Sequence, residues 1–72
     1  MELVFSVTQE SDGGYVAECL TESIVTQGDT WEDLTANVRE VVSGFYFDAA
    51  FRMPSRIRLH LVRDEVLAIT DE

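Results

Sequence analysis

Seventy-two residues with fourteen acids, five bases and one cysteine carry a net charge of −9, which leaves room for one domain (residues 1–72) and for no internal disulfide. A chain of this size buries only about 60 % of the surface its unfolded form exposes, so a partner subunit is the expected source of added stability. The charge argues against nucleic acid as a direct partner, because that affinity comes from cations that release counterions, and no apolar run approaches the roughly 20 residues of a membrane span.

Along the chain, Leu3 to Thr8 alternates, with Leu3, Phe5 and Val7 on one side and Val4, Ser6 and Thr8 on the other. A period of two in β-branched and aromatic residues predicts a strand. Asp12-Gly13-Gly14 supplies the positive φ of a hairpin turn. Tyr15 to Leu20 alternates again, and Ser23 to Gln27 forms a third short strand around Ile24 and Val25. Three strands in quick succession predict an antiparallel meander.

At Gly28 the period changes. Trp31, Leu34, Val38, Val41, Val42 and Phe45 fall on one helical stripe, which predicts a helix to about Phe47. Asp29 and Thr30 both stand where a cap is needed, each with an acid three residues on. Pro54 closes the following linker and argues against a strand there. Arg56 to Val62 is the clearest strand, with Ile57, Leu59 and Leu61 on one side and Arg56, Arg58 and His60 on the other. Arg63-Asp64-Glu65 is placed to turn the chain, so that Val66 to Ile69 adds an optional short fifth strand. The predicted fold is α+β: a β-β-β-α-β antiparallel sheet with one helix packed on one face.

Chemistry finds little to work with. Cys19 and His60 are the only soft or imidazole ligands, short of what a zinc site needs, and Cys19 reads as a small core residue. No spacing places His60 beside a nucleophile, and the glycines form no phosphate-binding pattern. The expected protein has no catalytic residue, no metal and no cofactor. Its charge is uneven: residues 1–38 hold eight acids and no base, while all five bases, every one an arginine, lie in residues 39–72. The row Arg56, Arg58, His60 is therefore the candidate interface. Arginine forks pair well with carboxylates, either those of another subunit or a cross-strand acid such as Glu18.

Three stretches together resemble a known family. They are Gly13-Gly14-Tyr15-Val16-Ala17, Thr26-Gln27-Gly28-Asp29-Thr30, and the segment from Trp31 to Glu40 with its Asn37–x–x–Glu40 pair. In this order and spacing they are similar to the HicB family of antitoxins and HicB-like proteins. The resemblance implies a partly degenerate ribonuclease H-like fold without catalytic residues, which binds and blocks HicA, a small basic ribonuclease toxin. Two departures stand out. The family often has Pro–x–Leu–Pro–Gly before the third strand, where this chain has Cys19-Leu20-Thr21-Glu22-Ser23-Ile24. Many full antitoxins also continue into a DNA-binding segment, whereas ten residues follow Val62, so operator binding is not carried over.

The sequence thus predicts a non-catalytic protein-binding module, a homo-oligomer that holds a small basic HicA-like partner. The alternative is a stand-alone structural or regulatory oligomer with no toxin partner. A residual metal-dependent nuclease comes third, since the acids fall mainly in turns and on the helix surface. The first residues lack the basic and long apolar segments of a signal peptide, so a cytoplasmic location is expected.

Overall fold

A computed structural model of the chain describes residues 1–70. Strand β1 (Glu2–Gln9), β2 (Tyr15–Cys19) and β3 (Val25–Gly28) precede helix α1 (Trp31–Phe45); a short 3-10 turn (Ala50–Arg52) then leads to β4 (Arg56–Val62). The four strands form one sheet in the order β3-β2-β1-β4, with the helix on one face. The α+β class and the element order are those read from the sequence.

Local chemistry accounts for the elements. Gly13 has φ +95° at the β1–β2 turn, where Gly14 N–H also donates to Asp12 Oδ1 at 3.0 Å. Of the two candidate caps, Thr30 is used: its Oγ1 accepts from Asp33 N–H at 3.0 Å. Glu32 and Asp33 place negative charge in the first turn, which suits the positive end of the helix dipole. The helix ends at Phe45 rather than Phe47, because Tyr46 turns inward as the C-cap and is buried. The third strand starts at Val25, with Ile24 buried just ahead of it.

Pairing departs from the expectation at one place. β1–β2 and β2–β3 are antiparallel as predicted, but β4 joins β1 in parallel, so the sheet is mixed. The cause is the helix. β3 runs in the direction of β1, and α1, 15 residues and so about 22 Å long, carries the chain back to the end where β1 begins. Ser55 is fastened there by its N–H and hydroxyl, which donate to the Met1 carbonyl at 2.9 and 3.1 Å.

The core lies between helix and sheet. Leu3, Phe5 and Val7 of β1 and Ala17 and Cys19 of β2 meet Leu34, Val38 and Val42 of α1, with Ile24 and Tyr46 at the margins. Full burial of each large apolar side chain contributes about 1.5–3 kcal/mol. Trp31 and Tyr15 close one end, edge to face with ring centroids 5.3 Å apart. Gly28 permits the close approach of β3 to the helix start: a Cβ there would lie 2.7 Å from Leu34 Cα.

The optional fifth strand is corrected. Residues 63–70 form no strand, and Val66 and Ile69 are 94 % and 98 % exposed. Arg63-Asp64-Glu65 contains no glycine or asparagine to take the positive φ of a tight return, and no residue other than glycine has positive φ among those described. The chain runs on from β4, and the molecule measures 57 × 21 × 17 Å.

Candidate functional site

The sheet face opposite the helix carries the arginine row. Alternation along β4 sends Ile57 and Leu59 toward the core and leaves Arg56, Arg58 and His60 exposed on the other face, as predicted. The partner of the row is Glu2. Arg58 grips it with two hydrogen bonds, Nε to Oε1 at 3.0 Å and Nη2 to Oε2 at 3.2 Å, and Arg56 Nε lies 3.6 Å from Oε2. The parallel register makes this possible by setting Glu2 beside Arg56 and Val4 beside Arg58. The hydrogen bond from Arg58, helped by the charges of Arg58 and Arg56, holds the Glu2 carboxyl below its ordinary value against the opposing effect of desolvation, and Glu2 in turn raises Arg58.

Glu18 is not the carboxylate of this cluster. It lies on the same face but on β2, opposite Ser6, and Ser6 has His60 on its other side. The intervening strand β1 separates the two. Glu2 escaped sequence reasoning because it is 54 and 56 residues from its partners, and nothing local announces a parallel register.

A second feature is the acidic end of the molecule. The β1–β2 turn and the β3–α1 junction come together there, so that Glu10, Asp12 and Asp29 line one open cleft of about 410 Å³ with no arginine among its walls. Asp29 and Asp33 line the neighbouring depression beside Gln27 and Asn37. These residues come from the base-free half of the sequence. The Asn37–x–x–Glu40 pair divides its labour: Asn37 Nδ2 donates to the Gln27 carbonyl at 2.7 Å and ties the helix to edge strand β3, while Glu40 lines an open groove of about 450 Å³ with Val25, Val41 and Phe45.

Among the described residues, no three of His, Cys, Asp and Glu gather where they could hold a metal ion, and no helix is long and apolar enough to cross a membrane. Cys19 is buried and free.

Fold and surface together define a small α+β domain with one sheet face open and an acidic end. The chain is 34 % identical over 68 residues to a UPF0150 protein of Thermotoga maritima, a match covering 94 % of this chain and 93 % of the relative. It belongs to the UPF0150 family. No protein-family model matches the chain, and no solved structure matches it significantly.

Proposed function

We propose that this chain is a non-catalytic protein-binding module of the HicB-like antitoxin type, which self-associates and holds a small basic protein. The observation that carries the reading is the acidic end, where Glu10, Asp12 and Asp29 share one cleft and Asp33 lies beside it. Such a surface accelerates encounter with a cationic protein and repels phosphate backbones. The Gly-Gly-Tyr hairpin, the Gly-Asp-Thr turn and Asn37 support it further, because in this chain they build that end and its junction with the helix. Arg56 and Arg58 share a single carboxylate. The row thus keeps positive charge for acids of a neighbouring subunit, a contact that added salt weakens.

Affinity capture with the full chain from its own cells, followed by a growth assay beside a neighbouring HicA-like toxin, tests the reading. The expected result is a small basic protein that co-purifies and is neutralised. Asp12→Asn with Asp29→Asn is expected to weaken that complex, most strongly at low ionic strength. Failure to capture a basic protein together with failure to neutralise the toxin would sink the antitoxin reading and leave a stand-alone oligomer.

A further inference from the structure

β4 is an edge strand, since the sheet order leaves β1 on one side of it and, among the described residues, no strand on the other. Its core face is only partly roofed. Ile57 and Leu59 pack on the core, whereas Leu61, beside the buried Val7, is 44 % exposed, and Val62 is exposed on the opposite face. Beyond it, Val66, Leu67 and Ile69 stand in solvent. An open, apolar edge with an apolar extension is a template for pairing with another chain.

The sequence of this region specifies the partner. Around Asp64 it reads Leu59-His60-Leu61-Val62-Arg63-Asp64-Glu65-Val66-Leu67-Ala68-Ile69, nearly the same in both directions. Laid antiparallel on a second copy with Asp64 at the two-fold axis, Arg63 meets Glu65, Val62 meets Val66, Leu61 meets Leu67 and Leu59 meets Ile69, each pair occurring twice. These four are apolar with apolar or cation with anion, the combinations that stabilise cross-strand neighbours; His60 meets Ala68, and Asp64 meets its own copy at the axis. Parity agrees as well. A two-fold axis normal to the sheet keeps faces matched, so Leu67 and Ile69 of the second copy fall on the core side with Leu59 and Leu61.

The same apolar pairs would form within one chain as a hairpin, but Arg63-Asp64-Glu65 offers no glycine or asparagine for the turn. Accordingly, Val66 and Ile69 lie almost fully exposed rather than folded back on β4. Pairing between two chains needs no turn.

We infer that two copies of this chain associate through residues 59–69, each lending its 66–69 segment as a fifth strand to the sheet of the other. The inference gives the self-association in the proposed function a specific interface. Eleven residues a side is fewer than the roughly 20–30 of a standard interface, so the pairing appears as a concentration-dependent monomer–dimer equilibrium.

Sedimentation equilibrium of the full chain tests this, with circular dichroism as the check on folding. Arg63→Glu sets like charges opposite each other twice and is expected to weaken the dimer by about tenfold or more. Adding Glu65→Arg to the same chain reverses both pairs and is expected to restore most of the loss. Asp64→Asn removes the one like-charged pair at the axis and is expected to tighten the dimer. In a Leu61→Cys, Leu67→Cys chain the paired positions stand about 4.5–5.5 Å apart between Cα atoms, within disulfide reach, so oxidation is expected to give a covalent dimer. An internal disulfide in a monomer would instead show a hairpin and overturn the interface. A dimer indifferent to the charge reversal would overturn the interface alone and leave self-association standing. A chain monomeric at every concentration would overturn both, while the basic-partner reading keeps its own capture test.

Discussion

The two halves of the sheet share one sequence pattern and differ in outcome. In β1, alternation puts Leu3, Phe5 and Val7 under the helix, where all three are buried. In β4, the same alternation puts Ile57, Leu59 and Leu61 beside them in register, yet the first two are half-buried and the third is exposed. The difference lies in the roof. Helix α1 packs on β3 and β2, and β4 lies at the far edge of the sheet, beyond β1. Periodicity says which side of a strand is apolar, and the placement of the next layer says whether that side becomes core.

Substitution should separate the two halves cleanly. Phe5→Ala removes a fully buried ring and is expected to cost about 3–5 kcal/mol, a large part of the roughly 4–11 kcal/mol available to a domain of this length. Leu61→Ala is expected to cost less than about 1 kcal/mol when measured by urea unfolding at concentrations where the chain is monomeric. Equal losses would abolish the contrast.

The next largest effect belongs to Gly28. An alanine Cβ would press on the backbone of Leu34 and force β3 away from the helix, for an expected loss of about 1–3 kcal/mol. Thermal unfolding measures it, and an unchanged midpoint would mean that the junction is loose. A smaller change of opposite sign is expected at Tyr46, which is buried with no hydrogen-bond partner for its hydroxyl among the described residues. Tyr46→Phe removes that desolvated group, with an expected gain of up to about 1 kcal/mol.

The smallest effect is at the arginine row, because exposed ion pairs contribute little. Its signature is a titration rather than a melting point. Glu2 is held below its ordinary value of 4.5, so the unfolded chain binds the proton more readily and the stabilisation is complete above that value. It fades as the pH falls through the lower, folded value. Carboxyl NMR should place the Glu2 midpoint below 4.5, and Arg58→Gln should move it back up. An identical midpoint in both proteins would deny the bidentate contact.

Much of the candidate surface was legible in the sequence, for a physical reason that also marks where legibility stopped. The alternation of Arg56, Arg58 and His60 against Ile57 and Leu59 is local, and so is the concentration of acids around the β1–β2 turn and the helix start. The partner of the row was not legible. Glu18 has the right charge and face but is held off by β1, whereas Glu2 reaches the row through a parallel register set by the direction of the crossover. The expected fifth strand failed for a related reason. Val66 to Ile69 has a strand's composition, but the residues ahead of it include no glycine or asparagine, and none of them takes the positive φ that would bring it back to β4.

The chain by itself therefore determined its strands, its helix, a cap at Asp29 or Thr30, a glycine turn at Gly13-Gly14, the apolar side of each element and the uneven charge, because each depends on neighbours within a few residues. Only the tertiary structure decided the parallel pairing of β4 with β1, the Glu2–Arg58 contact, the convergence of Glu10, Asp12 and Asp29 on one cleft, and the open edge beside Leu61. Those features join residues tens of positions apart, and their geometry is fixed by where a single helix can cover a sheet wider than itself.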